Sequence, residues 1–154
     1  MSDSDLEQTI RSMNLGKYKI LIADDHLLMR QMLVKILTEA GFADISSAAN
    51  GALCLEKINE ARAQENPYHV LFLDLAMPVM DGYQVLASCR ADRRLDSLAI
   101  IILSAESDEP NIVRALEAGA TAYVPKPFKA NDLLAKLKSV LQWRDSQENR
   151  GQAG

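Results

Sequence analysis

The sequence predicts an α/β fold in a single domain: a mostly parallel five-stranded sheet with helices on both faces. Five short apolar runs alternate with segments whose apolar residues recur at helical spacing. Such strand–helix alternation is typical of βαβ units, whose strands are parallel. The chain has 154 residues, which is enough for one domain with a substantial core.

The five predicted strands are short and rich in β-branched or apolar residues. The run 70–73, VLFL, is apolar on both sides and is typical of a strand buried on both faces. Pro125 removes a backbone donor from the last strand, which predicts that this strand lies at an edge of the sheet. The predicted strands are YKILIA (18–23), FADISSA (42–48), HVLFL (69–73), AIIILS (99–104) and TAYVP (121–125).

The predicted helices follow the strands and each shows one apolar face. The fourth stripe is the shortest, and the last is the longest. The residues that form these stripes are Met29, Met32, Leu33, Ile36 and Leu37; Leu55, Ile58 and Ala61; Val85, Leu86 and Cys89; Ile112, Val113 and Leu116; and Leu133, Leu134, Leu137, Val140 and Leu141.

The two ends differ from the domain, which we place at 18–143. Residues 1–17 form an extension in which Ser4 to Glu7 resembles a capping box. Leu6, Ile10 and Met13 of the same extension recur at helical spacing. A short helix ending near Gly16 and a frayed polar tail are both compatible with this segment. Residues 144–154 are polar and contain glycine, so we expect them to be disordered. No further domain is expected after them.

Composition excludes several classes of function. The net charge is −4 and the pI about 5.2, so the chain has no basic footprint for nucleic acid or an anionic membrane. Neither a run of about 20 apolar residues nor a signal peptide is visible. We therefore expect a cytoplasmic protein. Cys54 and Cys89 lie in apolar helical stripes and are predicted to be reduced core thiols.

Polar residues stand where four of the predicted strands end. Asp24 and Asp25 follow the first, Asp74 the third, Ser104 ends the fourth, and Lys126 follows the fifth. Ligands of open parallel sheets bind at the carboxyl ends of the strands. Converging carboxylates repel one another and need a counter-charge, and hard oxygen ligands suit Mg²⁺. The set predicts a phosphoryl site with a carboxylate nucleophile.

Each of these residues also has a simpler interpretation. Asp24 and Asp25 could cap the following helix. Asp74 could be a turn acid, Ser104 a helix cap, and Lys126 a solvated loop residue. The phosphoryl site is favoured because all of them fall at one edge of the sheet.

The same segments resemble the response-regulator receiver domain of two-component signalling. The resemblance covers roughly Tyr18 to Trp143 and rests on ILIADD, LFLDLAMPVMDG, IIILSAES and GATAYVPKPF, in that order. It is greatest to the stand-alone chemotaxis regulators of the CheY kind. It implies a doubly wound sheet of strand order 2-1-3-4-5.

The resemblance also implies the roles of the site residues. Asp74 would accept the phosphoryl group. Asp24, Asp25, Asp74 and the carbonyl of Ala76 would hold Mg²⁺. Lys126 would pair with the acceptor carboxylate and then with a phosphoryl oxygen, and the Lys126–Pro127 peptide would be cis.

A phosphorylated receiver must also report its state. The resemblance implies that Ser104 donates its hydroxyl to the phosphoryl group and that the rotamer of Tyr123 follows it. Ala76 and Glu106 flank the path of a hydrolytic water and are predicted to set the phosphoryl lifetime.

The implied partners follow from the same resemblance. The donor would be a sensor histidine kinase or a histidine phosphotransfer protein. The surface of the fourth helix, fifth strand and fifth helix would bind a downstream protein target. We expect a monomer or weak dimer with no nucleic-acid or membrane partner.

Two enzyme-like or carrier functions compete with the receiver. An aspartyl-phosphate phosphatase or phosphotransferase on a similar scaffold would want a general acid two residues after the nucleophile, where this chain has Ala76. A flavodoxin-like carrier would want a hydroxyl- and glycine-rich loop after the first strand, where the two acids stand.

His26 and His69 do not lie on a long exposed helix, so neither is predicted to be a relay histidine. Trp143 is predicted to cover the last stripe.

Overall fold

The computed structural model describes residues 4–5, 14–106 and 108–153. Strands and helices alternate as predicted, and short 3₁₀ turns lie at Leu15–Lys17 and Arg93–Leu95. The strands are β1 (Lys19–Ala23), β2 (Asp44–Ala48), β3 (Val70–Leu73), β4 (Ala99–Ser104) and β5 (Ala122–Pro125). The helices that follow them are α1 (Leu27–Ala40), α2 (Gly51–Ala63), α3 (Gly82–Ala91), α4 (Glu109–Glu117) and α5 (Ala130–Ala153).

The sheet is parallel and its order is β2-β1-β3-β4-β5. The predicted doubly wound order is therefore confirmed. β5 is an edge strand, and its last residue, Pro125, is paired in register with Ser104. The missing amide of Pro125 is tolerated there because an edge strand has a side without a neighbour.

The core lies on both faces of the sheet because alternate strand residues point to opposite faces. On one face Ile20, Phe72 and Ile101 pack against Leu33 of α1 and Leu137 of α5. On the other face the strands pack against α2, α3 and α4 through a second cluster, which includes Leu21, Leu71, Leu73, Ile100, Cys54, Ile58, Leu86, Cys89 and Ala115. Helices on both faces were predicted, and this is confirmed.

The two cysteines belong to the second cluster. Both are free and fully buried. Burial raises the pKa of Cys54 to about 12 and that of Cys89 to about 11, so both thiols are protonated at neutral pH. Reduced core thiols were predicted, and the two free, buried cysteines agree with that prediction.

The amino-terminal extension is described in part. Ser4 and Asp5 are helical, and Leu15 is buried in the core just before β1. The apolar residues on which the predicted helix depends, Leu6, Ile10 and Met13, lie outside the described residues. Among the described helices, none has both the length and the hydropathy needed to cross a bilayer.

The prediction of a disordered tail from residue 144 is wrong, because α5 continues to Ala153. Arg144 is buried, and its Nε donates to the carbonyl of Ser97 at 3.1 Å. Its guanidinium also pairs with Glu148 one turn later, at 3.0 Å. Asp145 accepts from the Tyr18 hydroxyl at 2.5 Å. These contacts tie polar residues to the domain, so the composition of the segment was a poor guide to its structure.

Replacing Arg144 with alanine is expected to lower the free energy of unfolding by about 2 kcal/mol, the usual size for a hydrogen bond that involves a charged group. Arg94→Ala is the matched control, because Arg94 is exposed and pairs with Asp92 at the surface. Such a surface pair is worth about 0–1 kcal/mol. Urea unfolding measures both changes, and equal losses in the two variants would contradict an anchoring role for Arg144.

Candidate functional site

The predicted polar residues meet at one edge of the sheet. Asp24 directly follows β1, Asp74 follows β3, Ser104 ends β4 and Lys126 follows β5. The strands are in parallel register, with Ala23 opposite Leu73 and Ser104 opposite Pro125, so their carboxyl ends coincide. Asp24, Asp74 and Ser104 are each less than 5% exposed. Buried polar groups of this kind need partners.

Lys126 is the cation of the site. Its Nζ donates to Asp24 Oδ2 at 2.7 Å and lies 3.6 Å from Asp74 Oδ2. The resemblance implied that Lys126 pairs with Asp74. The structure brings these two groups together, but the shorter contact is to Asp24. The Lys126–Pro127 peptide is cis, as predicted.

Asp74 lies in an environment that disfavours its negative charge. Burial raises the pKa of its carboxyl, the nearby Lys126 lowers it, and the charge of Asp24 raises it again. The net direction is upward. Burial therefore outweighs the stabilisation that Lys126 gives to the charged form of Asp74. The carboxylate receives a long hydrogen bond, 3.4 Å, from the amide of Ala76.

The acids could hold a divalent cation. Asp24, Asp25, His26 and Asp74 each offer one ligand atom, and these atoms all lie within 4.8 Å of one another. Asp24 uses its oxygens separately: Oδ2 accepts from Lys126, whereas Oδ1 faces the ring of His26. Carboxylate oxygens in this number, at a partly open site, fit Mg²⁺. A cation bound there would stabilise the charged form of Asp74, whose pKa burial raises.

The simpler interpretations of these residues find little support. The N-cap residue of α1 is His26, which directly precedes the helix, and its side chain makes no capping hydrogen bond. Asp24 Oδ1 instead accepts from the amide of His26 at 2.9 Å, which is a local turn. The cap of α4 is Asp108, which accepts from the amide of Asn111, and not Ser104.

Close backbone packing positions the loop that carries Asp74. A Cβ on Gly82 would lie 2.3 Å from the carbonyl oxygen of Asp74, and one on Gly51 would lie 2.3 Å from that of Met80. Glycine is therefore required at both positions. In the same loop Val79 has a φ of 68°, which is rare for a β-branched residue. Gly51 was not singled out from the sequence, because nothing near it in the chain indicates that α2 touches this loop.

Ser104 and Tyr123 both contact the backbone of Glu106. The amide of Glu106 donates to Ser104 Oγ at 3.1 Å, and the Tyr123 hydroxyl donates to its carbonyl. The Tyr123 ring is partly buried against the second core cluster. The predicted pair of switch residues is thus linked through a single residue of the loop between β4 and α4. Glu106 itself is exposed, as is Ala76.

Sequence reasoning missed a link between α3 and α4. The Arg114 guanidinium lies 3.7 Å from the centroid of the Tyr83 ring, a cation–π contact. The Tyr83 hydroxyl donates to Asn111 Oδ1 at 3.1 Å. Tyr83 follows Gly82, so the loop of Asp74 is joined directly to α4. No local pattern indicates this contact, because its members are 28 or more residues apart.

A groove of about 810 Å³ lies between α4, β5 and α5. Its lining includes Leu116, Tyr123, Lys136, Val140 and Trp143. The Trp143 side chain was predicted to cover the last apolar stripe, but it is 46% exposed and stands at the rim of this groove.

The comparisons with known protein families and with solved structures agree on one family. A family model described as "Response regulator receiver domain" matches residues 20–138. The structure of the chemotaxis protein CheY4 from Vibrio cholerae is 31% identical, with a TM-score of 0.71 over 80% of this chain and 98% of that one. A putative response regulator from Chloroflexus aurantiacus is 30% identical, with a TM-score of 0.73 over 81% and 98%.

A chain of the CheX–CheY–BeF₃–Mg²⁺ complex from Borrelia burgdorferi is also similar. It is 27% identical, with a TM-score of 0.71 over 86% of this chain and 97% of that one.

Proposed function

The chain belongs to the response regulator receiver domain family, and from this premise we propose that Asp74 accepts a phosphoryl group in a Mg²⁺-dependent reaction. Receiver domains are signalling modules and, as a family, accept such a group. The observation that supports Asp74 is its position: a buried carboxylate at the end of a central strand, 3.6 Å from Lys126 and beside two further acids. We expect it to catalyse only its own phosphorylation and dephosphorylation.

The transfer needs positioning and charge neutralisation more than covalent assistance. An oxygen of Asp74 forms a bond to phosphorus as the bond from phosphorus to the donor nitrogen breaks. Lys126 Nζ is close to both Asp24 and Asp74, so its ammonium can donate to a phosphoryl oxygen after a small movement. When bound, Mg²⁺ would be held by Asp24, Asp25, Asp74 and the carbonyl of Ala76, and would supply the positive charge that screens Asp74 from the phosphoryl oxygens.

The switch would use Ser104 and Tyr123. The Ser104 hydroxyl now accepts from the amide of Glu106, and it is the hydroxyl at the site edge that can turn to donate to a phosphoryl oxygen. This rotation of the Ser104 hydroxyl would break its hydrogen bond with the amide of Glu106. The carbonyl of Glu106 accepts from the Tyr123 hydroxyl, so a shift of this residue would reach Tyr123. Phosphorylation would then shift the equilibrium between two arrangements of this loop, because the phosphoryl group would stabilise one arrangement more than the other.

The donor would be a histidine kinase or a histidine phosphotransfer protein. Leu27 and Leu28, at the start of α1, are 57% and 79% exposed. They follow Asp24, Asp25 and His26 directly, so two large apolar side chains stand at the rim of the acidic site. Exposed apolar side chains beside a reactive group favour a protein donor that covers them.

The target would bind the surface of α4, β5 and α5. The groove there contains exposed apolar groups, Leu116 and Trp143, and the switch residue Tyr123 forms part of its lining. A change in the Tyr123 rotamer would therefore alter the shape of the surface that the target contacts.

Beryllofluoride, a stable mimic of an aspartyl phosphate, tests the switch. Trp143 is the only tryptophan and lies in the proposed target groove, so its fluorescence reports on that surface. We expect a change in the emission of the parent protein with Mg²⁺ and beryllofluoride, and none in Asp74→Asn. Tyr123→Phe should bind beryllofluoride and show a smaller change. An unchanged Trp143 signal, when ¹⁹F NMR shows beryllofluoride bound, would contradict the proposed switch.

Ala76 and Glu106 are expected to set the lifetime of the phosphoryl group. The amide of Ala76 donates to Asp74, that of Glu106 donates to Ser104, and both side chains are exposed at the mouth of the site. Ala76→Gln and Glu106→Lys should each change the dephosphorylation rate by more than about twofold, because water reaches the site past them. Glu117→Lys makes the same charge change at an exposed position at the carboxyl end of α4, the end away from the loop that follows β4, and is the control. Rates within twofold of the parent in both variants would contradict the prediction.

A further inference from the structure

His26 adds a nitrogen to an otherwise oxygen-rich site. Its Nδ1 lies 3.1 Å from Asp24 Oδ1 and 3.1 Å from Asp25 Oδ1. Together with Asp74, these residues form the group of four whose ligand atoms lie within 4.8 Å of one another. The receiver function proposed above uses the three acids and leaves His26 without a role.

Hydrogen bonds of the backbone around His26 place its imidazole near the acids, and the imidazole itself neither packs in the core nor caps a helix. The amide of His26 donates to Asp24 Oδ1, and Arg30 Nη1 donates to the carbonyl of Asp24 at 2.7 Å. These bonds hold residues 24 to 26 in a tight turn that directs the ring to the acids. The His26 side chain is 69% exposed and does not cap α1, so the core and the helix do not need an imidazole there.

The contacts of Nδ1 are those that a metal ion can replace. An imidazole nitrogen and carboxylate oxygens are all zinc ligands, and Nδ1 lies between oxygens of two carboxylates. A cation bound between these three atoms would replace the direct contacts that they now make with one another. Two ligand atoms of a tetrahedral zinc site are about 3.3 Å apart, given bonds of about 2.0 Å. The 3.1 Å separations of His26 from both acids already match this spacing.

We infer that the site binds a borderline transition-metal ion such as Zn²⁺ in competition with Mg²⁺, with His26 Nδ1 as a fourth ligand beside Asp24, Asp25 and Asp74. This inference depends on the metal site of the proposed function. Imidazole nitrogen suits Zn²⁺, whereas Mg²⁺ prefers oxygen. Asp24 Oδ1 faces His26 while Oδ2 keeps Lys126, so the fourth ligand does not compete with the lysine for the same oxygen.

A four-ligand zinc site has consequences for phosphorylation. Zinc sites with four protein ligands are closed, and those with three keep a position open. With His26 bound, no position would remain for a phosphoryl oxygen. Zn²⁺ would therefore hold the domain in a form that does not accept phosphoryl groups, and removal of His26 would restore an open position.

Metal binding can be tested without any phosphorylation assay. The probes are ZnCl₂ and MgCl₂, titrated separately by calorimetry into the parent, His26→Ala and Asp74→Asn. We expect Zn²⁺ to bind the parent more tightly than Mg²⁺. His26→Ala should weaken Zn²⁺ binding at least about tenfold and change Mg²⁺ binding by less than about twofold, because Mg²⁺ does not need the nitrogen.

Imidazole ¹⁵N NMR identifies the ligand atom. The chain has two histidines, and His69 is the internal control. It directly precedes β3, at the opposite edge of the sheet from the site, and its Nδ1 accepts from the amide of Lys19. Zn²⁺ should shift the Nδ1 resonance of His26 and leave that of His69 in place. Equal Zn²⁺ affinity in the parent and His26→Ala, or an unmoved His26 resonance at saturating Zn²⁺, would overturn the inference.

The two proposals fail in different ways. If Mg²⁺ binds and Asp74 is phosphorylated while Zn²⁺ leaves His26 unchanged, only the fourth-ligand inference is wrong. If neither ion binds to the parent in calorimetry, the metal site of the proposed function is wrong as well.

Discussion

Replacing Lys126 with methionine is expected to slow phosphoryl uptake from acetyl phosphate by about 100-fold, the size typical of removing one preorganised charge-stabilising group. Lys126 Nζ contacts both Asp24 and Asp74. Without it, the two buried carboxylates lose a close cation and the pKa of Asp74 rises further, since the charge of Lys126 lowers it more than the hydrogen bond from the amide of Ala76 does. The rate follows from intact mass spectra recorded over time.

Two further variants make the Lys126 result specific. Lys129→Met removes the charge of an exposed lysine three residues away and should leave the rate unchanged. Lys126→Arg keeps the charge but not the shape and should fall between the parent and the methionine variant. A Lys126→Met rate within a few-fold of the parent would show that the contact with Asp24 is structural only.

Replacing Gly82 with alanine is expected to have the largest effect on stability, a loss of about 1–3 kcal/mol in the free energy of unfolding. The new Cβ would lie 2.3 Å from the carbonyl oxygen of Asp74 and 2.6 Å from the Cα of Leu75. Both are backbone atoms, so the loop that carries the acceptor must move. We therefore also expect slower phosphoryl uptake at temperatures where the variant remains folded.

Gly16→Ala is the matched control for Gly82→Ala, because the nearest atom to its added Cβ is a side-chain oxygen 3.9 Å away. Thermal or urea unfolding of the two variants gives the comparison. If Gly82→Ala is as stable as Gly16→Ala and takes up phosphoryl groups at the parental rate, the close packing of this loop does not position Asp74.

Much of the fold could be predicted because its signals are local. The run VLFL becomes β3, buried along its whole length, and Pro125 lies on the edge strand as its missing amide required. The convergence of Asp24, Asp74, Ser104 and Lys126 followed from one rule, that parallel strands bring their carboxyl ends to the same edge. The cis peptide before Pro127 followed only from the family resemblance.

The missed features depend on contacts between residues far apart in the chain. Arg144 looked like part of a solvated tail, but the carbonyl that it reaches belongs to Ser97. Gly51 looked like an ordinary residue at a helix start, but it touches the backbone of Met80. His26 was considered only as a relay residue, because the side-chain geometry that brings it to both acids is not visible in the sequence.

The central claim is that Asp74 accepts a phosphoryl group with the help of a divalent cation. Its most direct test is the intact mass after incubation with acetyl phosphate and Mg²⁺, for the parent, for Asp74→Asn and for the parent with chelator. We predict a gain of one phosphoryl group in the parent alone. A gain that persists in Asp74→Asn, or no gain in the parent even at the earliest time points, would contradict the claim.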